Sequence, residues 1–384
     1  MTSHRRHAAG GELESALAAL LGDRPYELSP LGLYCRREVA RTERLVAAER
    51  VLLQHGSLRV FDLQLGRPCD LAENAIPTED ADPAAYEGAP RPGGVRVFRV
   101  DHHHPLERLR RETTTALVLA WLRGLWERGR TELLAEVARA RYLADHADPD
   151  ILLAHRIALD AQDRAAIFAP ELQWLLAAAR RNDYVEPPPA ELEPQASRAF
   201  YACLGIERAI EAGTLGFAEA ERRWLRWLLP WLRAEAPAEA AEQLARWEQE
   251  QRAAQARVLE RLERWSREGR LVQAAGGRVV QLGAPHKIDA AELVLYLRLR
   301  PPAGAVAPQL ALLHFAGGED GARLIYKLRA LDPALDLQPL FARLEERFPG
   351  AGFGGRAAAG GSRPTAGIEP QAVLAEAADW LQRR

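Results

Sequence analysis

Residues Val95–Pro105 read VRVFRVDHHHP, and the fold assignment turns on this stretch. Val95, Val97, Phe98 and Val100 form a short apolar, β-branched run after Gly94, the pattern of a buried strand. In a parallel sheet, ligands collect beyond the carboxyl ends of the strands, so Asp101, His102 and His103 stand where chemistry is expected. A carboxylate followed by imidazoles offers mixed oxygen and nitrogen donors, which suit Mn²⁺, Zn²⁺ or Fe²⁺ better than Ca²⁺. A histidine run is equally often a solvated turn, so the neighbouring sequence must discriminate.

Upstream, Ala75–Gly94 carries Pro77, Pro83, Pro90 and Pro92 and reads as a surface loop. Before it, Leu58–Leu63 (LRVFDL) reads as a strand with Asp62 near its end. Asp62 is then a second carboxylate at a strand tip, or simply a turn or capping carboxylate. Leu13–Leu21 and Arg37–His55 show helical periodicity, the latter stopped by Gly56, behind a basic tail over residues 1–10.

Downstream, Glu112-Thr113-Thr114-Thr115 precedes ALVLAWLRGLW, a capped helix start. Its N–H groups and positive dipole end suit a phosphate, which makes Thr114 a candidate contact; capping alone accounts for the same residues. Next comes Asp145-His146-Ala147-Asp148-Pro149-Asp150. On an extended segment His146, Asp148 and Asp150 share one face and make a dense ligand set. The same residues also fit an acidic helix cap with Pro149 in the first turn.

Pro187–Pro189 marks a boundary. From Leu192 to about Gly269 the pattern is mostly helical, broken at Pro230 and Pro237, and Ala238–Glu268 should be one long helix. Leu271–Ala274, Arg278–Leu282, Glu292–Leu299, Leu310–Phe315 and Ala322–Leu328 are strand candidates, and Pro339–Arg347 and Pro370–Arg383 are helices. Between those helices lies PGAGFGGRAAAGGS, Pro349–Ser362, a glycine-rich stretch that frees N–H groups to cradle an anion beside Arg356, or serves as a flexible linker.

The totals set broad limits. A chain of 384 residues holds two or three domains, and a net charge of -2 gives no global attraction to nucleic acid or to an anionic membrane. Lys287 and Lys327 are the only lysines. Cys35, Cys69 and Cys203 form no CxxC pair and fit a reducing compartment. With no signal-peptide core and no uninterrupted apolar span, a cytoplasmic location without membrane contact is expected.

With both ends in view the chain resembles the DHH/DHHA1 phosphoesterase superfamily. Asp101-His102-His103 matches the triplet for which the family is named, and Gly354-Gly355-Arg356-Ala357-Ala358-Ala359-Gly360-Gly361 resembles its glycine-rich substrate loop, usually GGGH followed by small residues. The resemblance covers about residues 56–384. It implies an α/β fold: a DHH-like parallel-sheet domain (1–186), a helical insert with a long connector helix (187–269), and a smaller mixed α/β DHHA1-like domain (270–384). It also implies a metal site of Asp62, Asp101 and His102 with His103 beside them, completed by Asp148 or Asp150. Gly354, Gly355 and Arg356 would contact substrate. Two departures stand out. The family's HxDxD-type first motif does not precede Asp62; the only such cluster, His146–Asp150, follows the triplet. Arg356 occupies the position of the loop histidine.

The expected activity is therefore a Mn²⁺-dependent phosphoesterase, with Mg²⁺ or another divalent ion as alternative, hydrolysing a nucleotide, cyclic dinucleotide or short oligonucleotide in an interdomain cleft. Asp101, His102 and His103 would be catalytic, and metal would be held by Asp62, Asp101, His102, His146, Asp148 and Asp150. The partner is a nucleotide or short single-stranded nucleic acid, and a homodimer is left open. The alternative is a degenerate DHH-fold protein that binds a nucleotide or nucleic acid without hydrolysis. A third reading, a helical interaction scaffold, rests on the Trp224–Trp231 stripe and the long helix.

Overall fold

The computed structural model describes residues 26–28, 32–35, 51–55, 96–100, 113–138, 141–144, 147–216, 219–301, 306–317, 323–355 and 358–384. It shows an α/β chain divided into two compact units, Met1–Arg252 and Ala253–Arg384. Among the described residues no helix is long and apolar enough to cross a membrane.

The first unit contains a five-stranded sheet built from β1 (Tyr26–Leu28), β2 (Gly32–Cys35), β3 (Val51–His55), β4 (Arg96–Val100) and β5 (Arg141–Ala144), in the order β1-β2-β5-β3-β4. β1 and β2 pair antiparallel; β2, β5, β3 and β4 run parallel. The strand expected before the triplet is present as Arg96–Val100. The helix expected over Arg37–His55 requires correction at its end, because Val51–His55 is a strand. VLLQH is too short to separate a helical from an extended period, and pairing on both sides, to β4 and β5, decides it. The strand candidate Leu58–Leu63 lies outside the described residues, as does the helix candidate Leu13–Leu21.

Helices follow: α1 (Thr114–Glu127), α2 (Thr131–Ala138), α3 (Pro149–Leu159), α4 (Leu172–Tyr184) and α5 (Glu193–Glu211). On α1 the stripe Leu117, Val118, Trp121, Leu122 and Leu125 is buried, the i, i+4, i+8 face of an amphipathic helix. On α3 every residue from Pro149 to Ala158 is buried, as in a helix at the centre of a core. A wide turn at Ala220–Trp224 then delivers Trp224, Leu225 and Leu228 into the same core. α6 (Ala238–Arg267) is the single long helix expected from its composition.

The second unit is organised by a six-stranded mixed sheet. Its strands are β6 (Leu271–Ala274), β7 (Val279–Ala284), β8 (Leu310–Gly317), β9 (Arg323–Ala330), β10 (Gly354–Gly355) and β11 (Ala359–Gly361), ordered β10-β11-β9-β8-β7-β6. Only β7 and β8 are parallel, and the connection between them contains α7 (Ala290–Leu299). Glu292–Leu299, expected as a strand, is helical. Its apolar run LVLYLRL is compatible with a buried helix, and Asp289 caps the start, its carboxylate accepting the Ala291 N–H at 2.8 Å. The remaining helices, α8 (Gln338–Arg347) and α9 (Pro370–Gln382), cover one sheet face, where Leu310, Leu312, Tyr326 and Leu328 pack with Leu340, Phe341, Val373 and Trp380.

Candidate functional site

Parallel pairing fixes which chain segments leave the first sheet together. Val100 is in register with His55, and Gln54 with Leu143, so β3, β4 and β5 end along one carboxyl edge. The sequence continues from Val100 directly into Asp101, His102 and His103, and from Ala144 into Asp145 and His146. Those residues, with Asp62 and Arg356, lie outside the described residues. Among the described residues no three His, Cys, Asp or Glu side chains converge as a metal cluster.

Asp148 and Asp150 are described. The chain from Pro149 is helical rather than extended, so the two carboxylates do not alternate along a strand. Asp148 is the N-cap of α3, its side chain accepting the Ile151 N–H at 2.9 Å. Asp150, within the first turn, is fully buried. Its Oδ2 accepts the Thr114 N–H at 2.8 Å; its Oδ1 accepts the Thr115 N–H at 2.8 Å and the Thr115 hydroxyl at 2.6 Å. The starts of α1 and α3 are thereby joined through one carboxylate.

The three threonines divide their work. Thr113 caps α1, its Oγ1 accepting the Ala116 N–H at 3.1 Å. Thr114 and Thr115 direct their N–H groups at Asp150, and all three are fully buried. The anion that this helix start attracts is supplied by the chain itself, a protein carboxylate in the place expected for a phosphate at Thr114.

Asp148 and Asp150 are the described members of the expected donor set, and both carboxylates already serve helix starts. Hard carboxylate oxygens are ligands of Mn²⁺ and Mg²⁺ alike.

In the second unit the described glycines of this stretch pair as two short antiparallel strands. Gly354 pairs with Gly361 and Gly355 with Gly360, and β11 continues onto β9, with Ala359 opposite Arg329 and Gly361 opposite Lys327. Several glycines are required by close approach. A Cβ on Gly360 would lie 2.3 Å from the Gly354 carbonyl oxygen and 2.4 Å from Phe341 Cζ, and one on Gly361 would lie 2.2 Å from the Tyr326 carbonyl oxygen. Gly354 differs: it is exposed, and a Cβ there would meet nothing within 4 Å. Tyr326 underlies the hairpin, its hydroxyl donating to the Ile368 carbonyl at 2.6 Å, and burial raises its pKa to about 12.

Lys327 and Arg329 are functional candidates that sequence reasoning misses. They alternate with buried Tyr326 and Leu328, so both project from the sheet face opposite the α8–α9 core. Lys327 is exposed and its stem lies across Gly361, where an added Cβ would come within 3.0 Å of the Lys327 Cδ. A cationic pair therefore borders a strip of backbone without side chains, an arrangement suited to an anion. The only signal in the sequence is KLR in an alternating strand, which by itself is an ordinary solvated face.

No family model matches the chain, and no curated protein matches it. Among solved structures it is similar to a pGpG-specific phosphodiesterase, PggH from Vibrio cholerae, at 13% identity over 62% of this chain and 75% of that one, with a TM-score of 0.37. A likeness of that degree carries no inference about chemistry, which rests on the residues themselves.

Proposed function

We propose that the chain is a divalent-metal-dependent phosphoesterase of the DHH/DHHA1 kind, acting on a nucleotide, cyclic dinucleotide or short oligonucleotide. The observation that carries the reading is the shared carboxyl edge of β3, β4 and β5. Segments bearing Asp101–His103 and His146–Asp150 leave the sheet there, and Asp150 ties the two following helix starts together.

In this reading Asp62, Asp101, His102, His146, Asp148 and Asp150 hold the ion, Mn²⁺ or a similar hard cation, with His103 beside them. Such an ion, when bound, polarises a phosphate and lowers the pKa of water from about 15.7 to about 7. Thr114 and Thr115 hold Asp150 through their N–H groups. Gly354, Gly355 and Arg356, with Lys327 and Arg329, recognise the phosphate of the substrate. Hydrolysis breaks one P–O bond, transfers the phosphoryl group to water and returns a proton to the leaving hydroxyl.

The test is turnover of bis(p-nitrophenyl) phosphate, cyclic dinucleotides and short single-stranded oligonucleotides with Mn²⁺, with EDTA, and by His102→Ala. Phosphodiester cleavage that needs Mn²⁺ and disappears in a folded His102→Ala protein is expected. Full activity in His102→Ala excludes this site. Nucleotide binding that survives EDTA without turnover supports the non-hydrolysing alternative.

A further inference from the structure

We infer that the solvent side of β9 is a track for the phosphodiester backbone of a linear single strand. The ligand of the second unit is then an oligonucleotide rather than a mononucleotide or a cyclic dinucleotide. The inference deepens the proposed function, because it rests on Lys327 and Arg329 contacting phosphate there.

The starting observation is the charge of the second sheet. Its six strands, LVQA, VVQLGA, LALLHFAG, RLIYKLRA, GG and AGG, contain no Asp or Glu, and their three Lys or Arg residues are all on β9. The whole chain carries 53 acids against 51 such cations, so this sheet departs sharply from the average. Arg323, Ile325, Lys327 and Arg329 share one side of β9, while Leu324, Tyr326 and Leu328 pack on the other with the α8–α9 core. Arg323 and Lys327 are exposed and Arg329 is half-buried. Other arginines of this unit are paired with carboxylates: Arg343 with Glu376 and Asp379, Arg300 with Glu263, Arg261 with Glu292. Arg323, Lys327 and Arg329 form no ion pair among the described residues. Like charges in a row repel one another, and a polyanion removes that repulsion.

The spacing decides which polyanion. At about 3.3 Å per residue, Lys327 stands about 7 Å from Arg329, and Arg323 about 13 Å beyond Lys327. A single phosphate between Lys327 and Arg329 is screened from Arg323, because exposed charges more than about 10 Å apart interact weakly at ordinary salt. A ligand that uses all three cations must carry phosphates along a comparable length. A stacked strand advances about 3.4 Å per nucleotide, so about six nucleotides cover the row, and fewer when unstacked. β11 adjoins only the Lys327–Arg329 end, with Gly361 opposite Lys327, and Arg323 extends the positive row past it. The one aromatic ring of β9, Tyr326, belongs to the core side, so the strand offers phosphate contacts without a platform for bases.

The test is anisotropy binding of the full chain to labelled single strands of one to about eight nucleotides. EDTA is present throughout, so that metal-dependent turnover does not intervene. Wild-type affinity should rise severalfold with length up to about six nucleotides and then level, alike for oligo(dA) and oligo(dT). Arg323→Ala is the decisive variant, because Glu319 and Asp320, shortly before Arg323, lie outside the described residues and would cancel its charge if they paired with it. It should weaken the longest strand severalfold and flatten its salt plot by about 0.7, with a much smaller effect on a dinucleotide. Lys327→Ala should weaken both ligands. If Arg323→Ala disturbs the strand end, Arg323→Gln makes the same comparison with a longer side chain. Affinity independent of length, or Arg323→Ala binding the longest strand as wild type does, overturns the track. Length-dependent binding by a chain that cleaves no phosphodiester when Mn²⁺ is restored keeps the track and removes the hydrolase.

Discussion

Glu345, near the end of α8, accepts the Phe353 N–H at 2.8 Å through one carboxylate oxygen and the Gly350 N–H at 2.8 Å through the other. The chain between them turns at Gly350 and Gly352, both at positive φ, so one side chain sets the approach to the glycine hairpin. The Phe353 amide first, and the Gly350 amide second, hold the Glu345 carboxyl below its usual value. A lowered native pKa stabilises above the unfolded carboxylate pKa of about 4.3, and the contribution is lost as pH falls through the native value. Protection of the Gly350 and Phe353 amides, taken as exchange relative to the intrinsic rate at each pH, should therefore hold at neutral pH and be lost as the pH falls below the unfolded carboxylate value and through the lowered native one. Glu345→Gln, which cannot accept through two oxygens, should exchange faster at neutral pH and show no acid transition. Equal protection in both proteins across the range would remove Glu345 from this role.

The glycines of the hairpin are not equivalent. A Cβ at Gly360 would lie within 2.4 Å of both the Gly354 carbonyl oxygen and Phe341 Cζ, whereas at Gly354 it would point into open space. Gly360→Ala should destabilise the second unit by about 1–3 kcal/mol through forced repacking, and Gly354→Ala should melt with the wild type. If Gly354 faces a bound phosphate, as proposed, the harmless Ala should still weaken nucleotide binding severalfold. Denaturant melts and a nucleotide titration on the same two proteins separate these effects. Equal stability of the two variants would mean that the hairpin is looser than its contacts imply.

Legibility in the sequence follows the range of the interaction that decides each element. Arg96–Val100 is readable because a β-branched run and Gly94 are local signals, and the start of α1 because Thr113 caps within three residues. Val51–His55 is not, since its strand state comes from pairing with Arg96–Val100 and Arg141–Ala144. Glu292–Leu299 misleads although a local signal exists: Asp289 and Glu292 stand three apart, a capping-box spacing, before the apolar run. At the candidate site the residue types are visible, and both readings of Asp148-Pro149-Asp150 are open. The bond between Asp150 and Thr115 spans 35 residues and leaves no trace in either local pattern. Lys327 and Arg329 gain meaning only from the pairing of β9 with β11.

His155 and Glu221 form a second long-range pair, Nε2 to Oε1 at 2.9 Å, with both side chains about 1% exposed. His155 lies on α3, the helix whose first turn holds Asp150, and Glu221 lies in the wide turn Ala220–Trp224. Removing one partner of a buried pair leaves the other uncompensated, at a cost of about 3–5 kcal/mol. Glu221→Ala should thus be strongly destabilised, and His155→Leu/Glu221→Leu should recover much of the loss by making both positions apolar. Urea melts of the two variants test this. A double variant no more stable than Glu221→Ala would show that the pair is needed for more than charge compensation.

Lys327 and Arg329 make the anion-binding role of the hairpin measurable. If they face phosphates, each should contribute to the salt dependence of oligonucleotide binding, because neutralised phosphates release condensed counterions. For a single strand, the slope of log K against log salt changes by about 0.7 for each phosphate the protein neutralises. Lys327→Ala and Arg329→Ala should each weaken binding of a short single-stranded oligonucleotide and flatten the salt plot by about that amount, and the double variant by about twice as much. Lys327 is exposed and Arg329 half-buried, so Lys327→Ala should hardly move the melting temperature. An unchanged slope with unchanged affinity would take these two cations out of substrate recognition and return the glycine hairpin to a purely structural element of the second sheet.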